Sequence, residues 1–259
     1  MDALAQALRG AQAAVSPPLC ALETALVAGA GGTLGSAVLT QALVAGRFQQ
    51  VAALVRGPLA STVRGLRPLP AETLQDAACT DLACTLAFVV FERERHSNGR
   101  DDAFFQPEPV ALRPLAEALH RRGVRRLVVV VPHAPALLPH ALKGGFASAE
   151  EGAVAALGFE HLVFVRAAQA ARCGTAGSRL QRFADWWLSQ LGWMVPQREQ
   201  PVRAVQLATL VVHLARTLAA APPGTRVLPP ELLWQASQAA EPEPLLQAWL
   251  GGVSADQAT

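Results

Sequence analysis

Thr24-Ala-Leu-Val-Ala-Gly29-Ala-Gly-Gly32-Thr-Leu-Gly35-Ser-Ala-Val-Leu39 joins an apolar run to a glycine-rich turn and then to a helical pattern. Residues 24–28 read as a buried strand. From Gly35 onward the spacing of Leu34, Val38 and Ala42 predicts one apolar helix face. Glycines stand at three-residue intervals, and each has a physical task. Gly29 allows the tight strand-to-helix turn, Gly32 lets backbone N–H groups approach a pyrophosphate, and Gly35 lets the helix pack closely. Free N–H groups and the helix dipole favour an anion at that point. Gly29, Gly31, Gly32, Thr33, Leu34 and Gly35 are therefore the candidate residues for holding a dinucleotide.

Phe48 to Val55 continue the pattern, with Val51-Ala-Ala-Leu-Val55 as a second buried strand. A carboxylate at the end of this strand would accept from the ribose 2′-OH of NAD. The chain instead places Arg56 there, followed by Gly57 and Pro58. An arginine pairs with a 2′-phosphate, so the expected cofactor is NADP, with NAD the lesser candidate. A solvated arginine closing a strand is the alternative.

The 259 residues suffice for one well-buried domain or a core with a small appendage. Net charge is +2, and the arginines are scattered, which gives no nucleic-acid footprint. Lys143 is the only lysine. Cys20, Cys79, Cys84 and Cys173 form no C-x-x-C pair and no metal spacing, as expected of reduced thiols in a cytoplasmic protein. Asp2 and Arg9 without a long apolar run argue against a signal peptide. No stretch reaches the roughly 18 apolar residues of a membrane span.

Along the chain, residues 1–21 read as a helical extension ending near Pro17-Pro18. Residues 22–175 alternate apolar strands with helical stretches, the pattern of a parallel sheet covered on both faces. Expected strands include Leu86 to Phe91, Arg126 to Val131 and His161 to Val165. Expected helices include Val110 to Arg122 and Ala149 to Leu157. Glu92 to Gln106 reads as a charged loop at the carboxyl end of a central strand. Its Arg93, Arg95, His96 and Arg100 could cap phosphates or remain solvated. Residues 176–250 read as a mostly helical C-terminal region, with helices at 179–191, 205–218, 231–239 and 244–250 and a short strand at 225–228. Residues 251–259 read as a disordered tail. The expected fold is α/β, a doubly wound parallel-sheet Rossmann-like core with a small, mostly helical C-terminal appendage.

Several of these stretches together resemble the atypical short-chain dehydrogenase/reductases. The nearest branch holds NmrA-like redox sensors and oxidoreductases of the Tat-interacting-protein type. The resemblance rests on Gly29-x-x-Gly32-x-x-Gly35, Val51 to Arg56, Gly123-Val-Arg-Arg-Leu-Val-Val-Val-Val131 and Leu157-Gly-Phe-Glu-His-Leu-Val-Phe-Val-Arg166. Pro201-Val-Arg-Ala204 adds to it. The resemblance covers roughly residues 22–235 and implies an NAD(P)-binding fold. Members that transfer hydride resemble one another in a serine and in a tyrosine with a lysine four residues later. The tyrosine is the acid/base, the lysine tunes it and holds the ribose, and the serine positions the substrate oxygen.

This chain contains no tyrosine. Counting back from Gly158-Phe159, the tyrosine position falls at or near Lys143 and the lysine position at or near Ala147. The strand end that should carry serine reads Val131-Pro132-His133. All three catalytic positions are vacant. Lys143 could act as acid or base if desolvated, and His133 titrates near neutral pH. A solvated lysine and a loop histidine are the plainer reading. His133 with His140 lacks a third ligand for a metal. Trp186, Trp187 and Trp193 cannot all share one helix face, so an exposed one would offer a surface to a protein partner. The expected function is an NADP(H)-binding sensor, scaffold or regulatory protein. A working oxidoreductase or epimerase-like enzyme with a relocated acid/base group stands beside it. So does a relic with an empty cleft.

Overall fold

Consecutive apolar residues in a strand require cover on both of its faces, and the described strands have it. The computed structural model describes residues 23–57, 59, 63–74, 84–92, 101–133, 149–168 and 202–252, with backbone only at Asp101, His133 and Ala168. Its strands are β1 (Glu23–Ala28), β2 (Phe48–Val55), β3 (Leu66–Pro70), β4 (Leu86–Val90), β5 (Arg126–His133), β6 (His161–Ala168) and β7 (Gly224–Leu228). They form one sheet in the order β3-β2-β1-β4-β5-β6-β7, and every ladder is parallel. The order reverses between β1 and β4, the topological switch point of a doubly wound Rossmann-type sheet.

The described helices are α1 (Gly32–Val44), α2 (Leu112–Arg121), α3 (Ala149–Ala155), α4 (Ala204–Thr217), α5 (Pro230–Gln238) and α6 (Glu243–Leu250). Alternate strand residues divide between two cores. Ala25, Val27, Ala53, Phe88, Val128 and Val163 face α1, α4, α5 and α6. Leu26, Ala52, Ala87, Val89, Leu127 and Phe164 face α2 and α3. The described part of the C-terminal region is continuous with the first core: β7 is the seventh strand of the same sheet, and α4 packs along α1.

Some boundaries differ from the sequence expectation. The first helix starts at Gly32, three residues early, with Gly31 as its N-cap and the first-turn Leu34 N–H satisfied from outside the helix. The strand β3 was not anticipated, since its Leu-Arg-Pro-Leu-Pro sequence carries two prolines. Residues 104–105, placed in a charged loop, instead pair with the end of β2. Among the described residues no helix is long and apolar enough to cross a membrane.

Candidate functional site

At the carboxyl end of β1 the chain turns into α1 through backbone that only glycine adopts readily. Gly29 has φ +87 and Gly32 has φ +82. Such left-handed values cost an ordinary residue roughly 1–2 kcal/mol. Space is also closed. A Cβ on Gly29 would run into the Val90 carbonyl and lie 3.2 Å from Pro107 Cδ. One on Gly35 would collide with the Gly29 carbonyl oxygen and lie 2.8 Å from its carbon. The helix start is thus pressed onto the turn that precedes it. Gly31 is the N-cap, in extended conformation and with no side chain to satisfy the helix N–H groups. Gly31, Gly32, Leu34 and Gly35 are buried, whereas Thr33 is exposed.

Sequence reasoning missed the group that meets this turn. Glu92, two residues past the end of β4, places its carboxylate over Gly32, and a Cβ there would strike Oε2 and lie 2.9 Å from Cδ. The Leu34 N–H donates to Glu92 Oε1 at 3.1 Å. The first turn of α1 holds no acidic residue of its own, so Glu92 supplies the negative charge that a helix N-terminus favours. In position and charge this carboxylate stands where a phosphate group would sit on a phosphate-binding turn.

A second feature lies beside it. Between the diverging carboxyl ends of β1 and β2 the chain inserts residues 103–105. Phe105 N–H donates to Leu54 O at 2.9 Å, Arg56 N–H to Ala103 O at 2.9 Å, and Gly29 N–H to Phe105 O at 3.1 Å. Phe104 forms an antiparallel bridge with Val55. Arg56 follows the end of β2 with its side chain exposed. His133 is the last residue of β5, opposite Ala168. Lys143, His140, Ala147, the arginines and histidine of 93–100 and the three tryptophans of 186–193 lie outside the described residues.

Farther along the sheet, Arg166 of β6 and Glu151 of α3 form a buried bidentate ion pair with two contacts of 2.6 Å. At the opposite, amino end of the sheet two groups are chemically muted. Burial pushes the Cys84 thiol up to about 12, outweighing the opposing charge of Arg67, so it is no nucleophile. Burial also lowers the pKa of His161, with Glu160 opposing and Arg226 and Arg126 reinforcing the shift.

No protein-family model and no curated protein matches this chain. Solved structures share its general chain path. It is similar to an oxidoreductase of the short-chain dehydrogenase/reductase family from Burkholderia thailandensis, at 16% identity and TM-score 0.44, covering 82% of this chain and 93% of that one. It is similar to the Bordetella bronchiseptica enzyme WbmH in complex with NAD+, at 15% identity, TM-score 0.46 and 83% and 80% coverage. The UDP-N-acetylglucosamine 4-epimerase from Bacillus cereus gives 15% identity, TM-score 0.43 and 85% and 86% coverage. Likenesses this remote assign no residue a role; the fold stands on the strand order itself.

Proposed function

We propose that this chain binds NADP(H) as a protein of the short-chain-dehydrogenase kind and works as a sensor, scaffold or regulatory protein. One observation carries the dinucleotide reading. Two left-handed glycines and a closely packed third lie at the reversal of strand order, where the Leu34 N–H already donates to an anionic oxygen. A pyrophosphate oxygen has the same charge and acceptor chemistry as that carboxylate, so the turn fits the group. Backbone groups of Gly29, Gly31, Gly32, Thr33, Leu34 and Gly35 would hold the pyrophosphate, and Arg56 the 2′-phosphate. A bound dinucleotide of this type supplies or accepts a hydride.

Preference for NADP(H) rests on Arg56, exposed at the strand end where an NAD-selecting carboxylate would stand. The non-catalytic role rests on the lack of any tyrosine and on the vacant Tyr-x-x-x-Lys positions. A protein partner would meet the tryptophan-bearing C-terminal region, and the cytoplasm suits the free, buried Cys84. A second reading, an oxidoreductase with a relocated acid, draws on His133, which closes β5 at the carboxyl edge of the sheet.

Titration of the purified chain with NADPH and NADH, followed by tryptophan fluorescence, tests the first reading. NADPH binds more tightly, and Arg56→Asp removes or inverts that preference. The loss is about 1.5–3 kcal/mol, the worth of a hydrogen bond to a charged group. Equal affinity for both cofactors in the starting protein overturns the role of Arg56.

A further inference from the structure

We infer that Glu92 is a built-in competitor for the phosphate site, so that the crevice is gated by its own chain. This rests on the dinucleotide reading and deepens it. The carboxylate occupies the volume above Gly32 that a pyrophosphate needs, and it uses the Leu34 N–H, one of the few donors the turn offers. A helix N-terminus with no acidic residue in its first turn favours an anion brought to it from elsewhere in the fold. Glu92 arrives from β4, 58 residues further along the chain, so the contact forms only in the folded sheet.

The neighbouring insertion works in the same direction. Gly29 N–H is tied to Phe105 O and Arg56 N–H to Ala103 O, which commits two further backbone donors on the ribose side of the crevice. Pro107 closes on Gly29 as well. A ligand phosphate and the Glu92 carboxylate carry like charge and cannot share the turn, so the side chain must swing out when a dinucleotide binds. Occupancy is thereby coupled to the position of the Glu92 side chain. That is the behaviour of a sensor with a raised threshold rather than of an enzyme with a preformed site. Phosphate affinity in the resting protein is set by a competition, and a single side chain sets its level.

The test compares the full-length chain with Glu92→Gln and Glu92→Ala. NADPH binding is measured by fluorescence and calorimetry, with inorganic pyrophosphate as a second probe. Amide hydrogen exchange at Leu34 is followed without ligand, and circular dichroism checks the fold. Two variants are used so that failure of one to fold leaves the other informative. The expected result is a gain in NADPH affinity of roughly tenfold or more in either variant, the scale of one charge-assisted contact released. Leu34 exchange is expected to quicken in Glu92→Ala. Equal NADPH affinity in all three proteins overturns the gate while dinucleotide binding stands. Weaker binding in the variants makes Glu92 a ligand of the cofactor and also overturns it. If none of the three binds NADPH or pyrophosphate, the dinucleotide reading itself fails, and the gate with it. Unchanged Leu34 exchange in Glu92→Ala removes the contact on which the inference stands.

Discussion

Gly35 and Gly123 are glycines for different reasons, and the difference can be measured. A side chain at Gly35 would meet backbone, the carbonyl of Gly29, which cannot rotate aside. Gly123 has φ +82 and nothing within 4 Å of its missing Cβ, so only its conformation resists substitution. Gly35→Ala therefore costs about 3 kcal/mol, the upper part of the range for overpacking. Gly123→Ala costs about 1–2 kcal/mol, the left-handed penalty alone. Urea denaturation of the two variants checks the order, and a Gly123 variant less stable than the Gly35 one contradicts the packing of α1 onto the turn. The glycines were legible because each must satisfy a local rule, a positive φ or a close approach, that only one residue type meets. Glu92 was not legible. Its partner is the Leu34 N–H, and nothing in the residues around position 92 marks a side chain that will reach a helix 58 residues back.

Two elements show what periodicity can and cannot carry. The strand β3 escaped a reading by pattern because Pro68 and Pro70 argue against a central strand. Their tolerance follows from register. The Val51 N–H donates to Gly65 O at 2.8 Å, so odd-numbered residues of this stretch turn toward β2, while Pro68 and Pro70 turn their nitrogens outward. At the edge of the sheet no neighbour asks for those missing N–H groups. The helix α3 was anticipated over 149–157, but its attachment was not. Seven residues long, it meets β6 through Glu151, whose carboxylate clamps Arg166 with both side chains almost fully buried. Removing one partner leaves a buried charge uncompensated, which costs roughly 3–5 kcal/mol, whereas replacing both by apolar residues of similar size can be neutral. Glu151→Gln is therefore expected to destabilise strongly, and the double variant Glu151→Leu/Arg166→Met much less. Chemical denaturation of the single and double variants decides this. Equal losses in both would mean that shape rather than charge holds α3 to the sheet.

For the whole molecule, the sequence of apolar runs was enough to anticipate a doubly wound parallel sheet, because strands covered on both faces advertise themselves as unbroken apolar segments. It could not foresee that residues 103–105 would wedge between β1 and β2, since that pairing is long-range and uses backbone groups alone. The fold puts the glycine turn, Arg56 and the end of β5 along one carboxyl edge, where hydride chemistry would have to occur. Delivering hydride to a carbonyl leaves an alkoxide that must be protonated as it forms, and a positioned acid contributes roughly 10²–10⁴-fold to that step. The chain offers no tyrosine, and its single lysine, Lys143, cannot serve as both acid and ribose clamp. Of the described residues, His133 at the end of β5 is the titratable one at the position where a serine would be expected. Carbonyl reduction with NADPH is therefore expected to be absent or slower by about that factor across a panel of carbonyl compounds. The measurement is NADPH consumption by the starting protein, Lys143→Ala and His133→Ala, with binding recorded in parallel. Binding without turnover in all three agrees with a sensor or scaffold. Robust turnover that collapses in His133→Ala or Lys143→Ala would overturn that role and identify the relocated acid, because a purely structural loss would weaken NADPH binding together with the rate.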